Sequence, residues 1–366
     1  MSDLLNQQKL DKIIDNIIKG NNDSNEKNKL KKVKNMAKGG FGVIYQIDYN
    51  GRDYAGKLIK KNKKVEKEES EIITEFRGPN IVKVNKVFEK IDGSDIYNLI
   101  LMEKAPLKSL NYFINSLSNN NYFNLIFETP FEIIGNNLMR YFIFQLVQGL
   151  EILNRNNFCH FDIKPENILI FINFVLKWTD FGLLRDLKTI KSDEICVPGG
   201  TEGYFSPEYY SNNYNIDISQ AIKHDFFALG ATIYFMKYNK KMLKYFRDGD
   251  NIINSNIIIE LLERIKDELN SEKSFEKEFI DFLCSLIQYD AKERPDFDKL
   301  YRNKWLNKYK KELTNIFEVN VNEETKIVME LDKSEFLINK RKYLDEKLER
   351  DKKNYRKNKF IFKKKK

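Results

Sequence analysis

The chain has 366 residues, 42 % of them hydrophobic, which is enough to bury the core of one two-lobed domain with extensions or of two small domains. It contains no apolar run of about 18 residues, so we expect no transmembrane helix, and its N-terminus lacks the apolar stretch of a secretion signal. The formal net charge of +9 lies entirely in residues 341–366, which hold thirteen Lys or Arg and four Asp or Glu. The formally neutral remainder argues against a catalytic domain that itself clamps nucleic acid.

The cysteine content indicates the compartment. The three cysteines have no metal-binding spacing and cannot all pair, which is typical of free thiols in a reducing environment: Cys159, Cys196 and Cys284. We therefore expect a cytoplasmic protein, with the nucleus as the alternative.

Residues 1–30 are predicted to form an amphipathic helix and a polar linker. Apolar residues recur at helical spacing between Asp, Asn and Lys residues: Leu10, Ile13, Ile14, Ile17 and Ile18. We interpret this helix as packed on its own domain. A helix that docks on a partner protein is the alternative.

Residues 31–105 have the pattern of a small β-rich unit. Strand-like runs lie on both sides of a glycine cluster and return at Ile81–Phe88 and Tyr97–Met102. Glycines let a backbone approach phosphate oxygens and offer N–H groups to them, although a glycine-rich hairpin turn has the same composition. A Lys/Glu-rich helix is expected over residues 64–76.

Residues 106–306 are predicted to be mainly helical, with the clearest helices at Tyr141–Leu153, Asp225–Tyr238 and Phe279–Gln288. An Asn-rich stretch, residues 117–137, interrupts the first part and is expected to be a surface insertion. A β-rich unit followed by a helical one predicts an α+β fold of two packed lobes with a cleft between them.

The most specific chemistry lies in two neighbouring segments, His160-Phe161-Asp162-Ile163-Lys164-Pro165-Glu166-Asn167 and Asp180-Phe181-Gly182. Asp162 can align a hydroxyl and accept its proton, and Lys164 can neutralise charge on a γ-phosphate. Asn167 and Asp180 offer hard oxygen ligands to Mg²⁺, with Mn²⁺ as an alternative metal. Each residue alone would be ordinary, but the joint pattern is highly specific.

These segments resemble the catalytic and metal loops of eukaryotic protein kinases, and the resemblance runs from about residue 33 to 306. It implies a two-lobed kinase fold, with the N-lobe at 31–105 and the C-lobe at 106–306. It also implies ATP and Mg²⁺ as cofactors and a protein substrate with a Ser or Thr acceptor, because Lys164 and Thr201 match the serine/threonine type.

The resemblance also implies a nucleotide site. Its glycine-rich loop consists of Ala37, Gly39, Gly40, Phe41, Gly42 and Ile44, with Ala37 where glycine is usual. Lys57 is implied to contact the α- and β-phosphates and to pair with Glu69, with Glu68 as the rival if the helix register shifts by one. The remaining implied positions line the hinge and the adenine ring: Ala55, Met102, Glu103, Ala105, Ser109 and Leu169.

Four further positions are implied to be structural. Glu208, at the end of the activation segment Gly200–Glu208, is expected to form a buried ion pair with Arg294. Asp225 is expected to accept backbone hydrogen bonds from the catalytic loop, and His160 to support that loop without transferring protons.

Two positions depart from the family pattern in a way that bears on regulation. Phe161 stands where most such kinases have an Arg that binds the phosphorylated activation segment, and Val197 occupies the usual phosphosite. We therefore expect activity that does not require activation-loop phosphorylation. Thr189 and Ser192 are the remaining candidate sites for such a modification.

Residues 307–366 form a basic tail in which aromatic residues lie among lysines. Such a tail suits an anionic membrane surface or nucleic acid, and a nuclear-import signal or a solvated, partly helical tail are the alternatives.

Two other functions compete with an active kinase. A pseudokinase scaffold that acts by protein docking is favoured by Ala37, Gly56 and Phe161. A kinase for small molecules is disfavoured by the activation-segment ending Gly200–Glu208, which serves peptide substrates.

Overall fold

The structure is a computed structural model. It describes residues 2–22, 29–39, 42–61, 78–118, 130–171, 174–190, 194–196, 199–211, 215–242, 247–248, 251–252, 255–271 and 276–307. All of these belong to one compact unit, Met1–Asn307. The helix predicted over 64–76 and the basic tail beyond Asn307 lie outside the described residues. None of the helices described in these ranges is both long and apolar enough to cross a bilayer.

The N-lobe is built on an antiparallel sheet of five strands in the order β1-β2-β3-β5-β4. The strands are β1 Leu30–Gly39, β2 Gly42–Tyr49, β3 Arg52–Lys60, β4 Val84–Asp92 and β5 Asp95–Glu103. Tight turns join β2 to β3 and β4 to β5, where Gly51 and Gly93 have positive φ angles that other residues rarely adopt. Ile81, predicted as the start of a strand, instead forms an isolated bridge with Trp178.

The two faces of this sheet carry different residues, one the predicted nucleotide-binding residues and the other an apolar cluster. Because side chains alternate along a strand, Ala55 and Lys57 share one face of β3. Register places Ile44 opposite Lys57 and Met102 opposite Ala55, so the predicted nucleotide-binding residues lie together on this face. The other face is apolar and belongs to a buried cluster that includes Tyr45, Ile47, Leu58, Leu99 and Leu101.

The N-terminal helix α1, Ser2–Asn21, covers the apolar face of the sheet. Ile13, Ile14 and Ile17 are buried in the same cluster as the sheet residues. The side chain of Asn22 fixes the helix end, since it accepts from the backbone N–H of Leu30 at 2.6 Å and donates to its carbonyl at 3.1 Å. The interpretation of a helix packed on its own domain is therefore confirmed.

Gly56 allows this packing. A Cβ at this position would lie 2.6 Å from Ile47 Cγ1 and 3.0 Å from Leu99 Cδ1, too close for either side chain to remain in place. A larger residue would therefore push apart the core between the sheet and α1. Gly56, one of the three residues that favour a pseudokinase, therefore has a packing reason.

The C-lobe is mainly helical. Its helices are α2 Leu110–Ser118, α3 Pro130–Arg155, α4 Pro207–Ser211, α5 Ala221–Tyr238, α6 Ser255–Ser271, α7 Lys277–Leu286 and α8 Phe297–Arg302. Short strand pairs lie between the helices: β6 Phe158–Cys159 with β9 Arg185–Asp186, β7 Ile168–Ile170 with β8 Leu176–Trp178, β10 Glu194–Cys196 with β11 Asn215–Asp217, and β12 Arg247–Asp248 with β13 Asn251–Ile252. Helix α3 begins at Pro130, so the last part of the segment predicted as an insertion is helical. A five-stranded N-lobe and a helical C-lobe confirm the predicted two-lobed fold.

Candidate functional site

Two loops meet because the strands on either side of them are paired. Residues 160–167 connect β6 to β7, and residues 179–184 connect β8 to β9. Since β6 pairs with β9 and β7 pairs with β8, the loops lie side by side. The backbone N–H of Thr179 donates to the carbonyl of Asn167 at 3.0 Å and closes the gap between them. Local pairing thus places Asp162 and Asp180 at one site.

Asp162 is the centre of a hydrogen-bonded cluster. Its Oδ2 accepts from Lys164 Nζ at 2.7 Å and from Asn167 Nδ2 at 2.8 Å. Its Oδ1 accepts from the hydroxyl of Thr201 at 2.9 Å, and Lys164 Nζ also lies 2.6 Å from that hydroxyl oxygen. The carboxylate of Asp162 is buried, so these donors fix its orientation.

His160 supports the loop from beneath. Its Nδ1 accepts from the backbone N–H of Asp162 at 3.3 Å, so the neutral ring carries its proton on Nε2, which donates to Thr179 O at 3.2 Å. The ring packs against Trp178 and Phe181. Burial lowers the pKa of His160 despite the nearby carboxylates. The expected supporting role is confirmed.

Asp225, in the first half of α5, holds the start of the catalytic loop. Its two carboxylate oxygens accept from the backbone N–H groups of His160 and Phe161 at 2.7 and 3.0 Å. Burial raises the pKa of Asp225 to about 7, while these two donors oppose that rise. The hydrogen bonds compensate for a strained backbone, because Phe161 has a φ of 60°. The expectation for Asp225 is confirmed.

Lys57 and Asp180 join the two lobes. Lys57 Nζ lies 2.8 Å from Asp180 Oδ1, and Lys57 is buried. Burial by itself would raise the pKa of Asp180, but the Lys57 ammonium outweighs it and holds that pKa below 3.8. Asp180 has a φ of 61°, a second strained position at the site.

Asn167 and Asp180 are chemically suited to a divalent cation. Asn167 Nδ2 donates to both the backbone carbonyl and Oδ2 of Asp162, so the amide nitrogen is turned toward Asp162. The amide oxygen is then the atom left to act as a ligand. The depressed pKa of Asp180 keeps that residue anionic, and a carboxylate with an amide oxygen is a donor set that Mg²⁺ accepts.

The hinge begins in the last residues of β5, and Glu103 is hydrogen-bonded to both lobes. Glu103 Oε1 accepts from the backbone N–H of Lys83 at 2.7 Å and from Lys177 Nζ at 2.6 Å. Further along, Ser109 and Leu169 pair as an isolated antiparallel bridge. Met102 is the register partner of Ala55, and the chain beyond Ala105 reaches Ser109, which bridges to Leu169 on the C-lobe strand β7.

A buried ion pair secures the end of the activation segment. Arg294 NH1 and NH2 donate to Glu208 Oε1 and Oε2, both at 2.7 Å, as predicted from the resemblance. Arg294 is 0 % exposed and also donates to the carbonyls of Gln288, Lys223 and Tyr289. Although burial opposes ionisation of Glu208, Arg294 holds the pKa of that carboxyl below 4.5.

Some predicted residues have no structural account. Gly40, Phe41, Glu69, Ser192 and Val197 lie outside the described residues, as does Glu68. Conversely, the sequence did not predict two contacts of the site, because each joins residues that are far apart along the chain. These are the contacts of Lys177 with Glu103 and of His224 with Ser206.

Comparison with known proteins agrees with this geometry. The family model described as "Protein kinase domain" matches residues 30–306, more than half of the chain. A glycogen synthase kinase-3 homolog, YGK3, of Saccharomyces cerevisiae is 29 % identical, covering 82 % of this chain and 83 % of that protein. An Aurora kinase of Candida glabrata is 27 % identical, covering 75 % of this chain and 70 % of that protein.

A third similar protein is the serine/threonine-protein kinase STK11 of Gallus gallus, 27 % identical over 50 % of this chain and 39 % of that protein. The chain belongs to the protein kinase family, whose members are phosphotransferases.

Proposed function

We propose that the protein is a serine/threonine protein kinase that transfers the γ-phosphate of ATP to a hydroxyl of a protein substrate. The observation that carries the proposal is the fixed Asp162 carboxylate, with Lys164, Asn167 and Thr201 all within hydrogen-bond distance. In this transfer the bond from the γ-phosphorus to the bridging oxygen breaks, and a bond forms to the substrate hydroxyl oxygen. ADP leaves, and the hydroxyl proton passes to Asp162.

The roles of the individual residues follow from their chemistry. Asp162 orients the attacking hydroxyl, and Lys164 offsets charge on the transferred phosphoryl group. Asn167 and Asp180 hold the divalent cation, which, when bound, neutralises the charge of the β- and γ-phosphates. Lys57 serves the phosphates as a point charge from the sheet face above.

The nucleotide is proposed to bind between the sheet face and the hinge. Gly39 and Gly42 are the last register partners of β1 and β2, at the end of the sheet face that also holds Ile44 and Lys57, which supports this proposal. Ala55 and Met102 are register partners on the same face and enclose the adenine together with Leu169. The proposal gives Glu69 the role of ion-pair partner to Lys57 when nucleotide is bound.

Preference for Ser or Thr is supported by Thr201. Its hydroxyl lies within hydrogen-bond distance of both Asp162 and Lys164, the two residues proposed to act on the acceptor hydroxyl and the phosphoryl group. The similarity to the serine/threonine-protein kinase STK11 of Gallus gallus favours the same substrate class.

We further propose that activity does not depend on phosphorylation of the activation segment. Phe161 is buried and packs on His224 with ring centroids 5.6 Å apart. It can therefore stabilise the catalytic loop by packing, whereas an Arg at this position would need a bound phosphate to do so. Protein treated with phosphatase is expected to retain its activity. Loss of turnover in Thr189→Ala plus Ser192→Ala protein that remains folded would contradict this.

The competing function is a pseudokinase scaffold. A transfer assay with γ-labelled ATP, a mixed Ser/Thr peptide library and Mg²⁺ separates the two, with Asp267→Ala as an exposed control. We expect Asp180→Ala to lose about a hundredfold or more of the rate while Asp267→Ala keeps it. Equal incorporation by wild type and Asp180→Ala, or none by either with Mg²⁺ or Mn²⁺, would favour the scaffold.

The partner surfaces remain predictions. The apolar face of α1 is buried in its own lobe, so a docking partner would use the polar face of that helix. Contacts of the basic tail with an anionic membrane or nucleic acid, and a cytoplasmic or nuclear location, also remain predictions.

A further inference from the structure

A buried hydrogen bond joins the activation segment to α5. Ser206 Oγ and His224 Nδ1 lie 2.7 Å apart, and both side chains are buried. Ser206 belongs to the segment Gly200–Glu208, and His224 is the residue before Asp225 on α5. Because Asp225 holds the catalytic loop, one turn of α5 binds that loop and the activation segment together.

Aromatic packing surrounds this hydrogen bond. The His224 ring lies 5.6 Å from Phe161, 6.4 Å from Phe205 and 6.2 Å from Tyr209, measured between ring centroids. Phe205 stacks on Tyr209 at 4.0 Å with an 11° angle between the planes. The cluster therefore lies against the position where the family usually has an Arg.

Gly200 brings the activation segment into the same cluster. A Cβ at Gly200 would lie 2.4 Å from the Phe205 ring and 3.2 Å from the carbonyl oxygen of Phe161. Gly200 also has a φ of 145°, a conformation that other residues rarely adopt. The backbone of the segment is thus in close contact with the catalytic loop at this point.

The hydrogen bond between Ser206 and His224 fixes the position of the activation segment in this contact. Burial lowers the pKa of His224 to about 4, so the ring is neutral at pH 7 and offers one donor and one acceptor nitrogen. Apolar rings can slide on one another, whereas a buried hydroxyl that loses its partner is left unsatisfied. The pair therefore favours one register of the segment.

We propose that His224 is a positioning residue that, through Ser206, fixes the segment Gly200–Ser206 against the catalytic loop. Thr201, five positions before Ser206, bonds Asp162 at 2.9 Å, so a shift of this segment would move a group that touches the catalytic carboxylate. In this protein the pair does what a phosphate bound to Arg would do. The inference rests on the proposed kinase function.

Three variants separate the hydrogen bond from the ring packing. His224→Phe keeps a ring but no hydrogen-bonding atom, His224→Asn keeps an amide near the position of Nδ1 but no ring, and Ser206→Ala removes the hydroxyl. Ser116→Ala, which removes an exposed hydroxyl on α2, is the control. Amide hydrogen exchange of residues 199–206 is measured for each, together with the KM for a Ser/Thr peptide and the KM for ATP.

We expect exchange in this segment to rise roughly tenfold in His224→Phe and Ser206→Ala, and to stay near wild type in His224→Asn and Ser116→Ala. The peptide KM should rise by a similar factor in the first two variants while the KM for ATP changes less than about twofold. Equal exchange in all the variants would overturn the inference. So would a rise in His224→Asn as large as in His224→Phe, since ring packing would then be the cause.

Phosphate transfer by the wild type, read together with hydrogen exchange and the peptide KM, distinguishes a failure of this inference from a failure of the proposed kinase function. If the wild type transferred no phosphate, the proposed function would fail, and the exchange comparison would still decide whether the Ser206–His224 pair holds the segment. If the wild type were active and the peptide KM did not change, only the inference would fail.

Discussion

Lys57 Nζ and Asp180 Oδ1 lie 2.8 Å apart, and this contact joins the N-lobe sheet to the loop that follows β8. Both residues are proposed to act on the nucleotide, one on its phosphates and one on its cation. The pair therefore occupies the point where charge must be balanced when Mg²⁺ and ATP bind.

Lys57→Met is expected to reduce phosphate transfer by about a hundredfold or more, because it removes the cation proposed to bind the phosphates. Lys60→Met is the matched control. Lys60 is on the same strand and pairs with Asp95 at 2.8 Å, but its side chain is 57 % exposed. Transfer rates with saturating peptide measure the difference. A similar loss in both variants would point to damage of the sheet and not to loss of a phosphate contact.

Arg294→Met is expected to lower the free energy of unfolding by about 3–5 kcal/mol, because the carboxylate of Glu208 would stay buried without its partner. Arg155→Met breaks an exposed pair with Glu151, in which Arg155 is 75 % exposed, and should cost less than about 1 kcal/mol. Urea unfolding measures both. Similar small losses would show that the Arg294 pair does not hold the lobe together.

Gly56→Ala is expected to destabilise the protein by about 1–3 kcal/mol, since the added Cβ meets Ile47 and Leu99 under α1. Gly20→Ala is the control, because a Cβ there has no neighbour within 4 Å and Ala favours helix. Thermal and urea unfolding of both variants report the effect. If Gly56→Ala were as stable as the wild type, the packing reason for this glycine would be wrong.

The pH dependence of stability should come partly from His224. The chain has two histidines, both buried, and burial lowers the pKa of each. The unfolded state takes up a proton near pH 6.5, whereas folded His224 does so only near 4. Its contribution to stability is therefore complete above pH 6.5 and is lost as the pH falls toward 4.

His224→Asn should remove this part of the pH dependence, on the order of 3 kcal/mol between pH 7 and 4. Urea unfolding of wild type and variant at several pH values measures it. Between pH 7 and 4 the wild type should lose that much more stability than the variant, so the difference between the two curves should change with pH, and curves that stay parallel would show that His224 does not titrate in this window.

The catalytic and metal loops could be predicted because their residues lie in short segments. Asp162, Lys164 and Asn167 lie within six positions, and the pairing of β7 with β8 brings Asp180 beside them. The buried Arg294–Glu208 pair was also expected, although its partners are 86 positions apart, because both belong to motifs with a known relationship. Motif spacing therefore predicts the centre of the site well.

The supports of the site could not be predicted from the sequence. The spacing of apolar residues indicates that α1 is amphipathic, but only the packed structure places it against the apolar face of the N-lobe sheet. The same applies to Lys177, which binds Glu103 across 74 positions, and to His224, which binds Ser206 across 18. Such contacts depend on how whole elements pack, and periodicity carries no information about them.

The central claim is an active kinase whose catalytic loop is held by packing around Phe161 and not by a phosphate. The most direct measurement is phosphate transfer to a Ser/Thr peptide by phosphatase-treated protein, with mass spectrometry to verify that the activation segment carries no phosphate. We predict the same rate before and after treatment, and a loss of about a hundredfold or more in Asp180→Ala. A treated wild type that falls to the rate of Asp180→Ala would contradict the account.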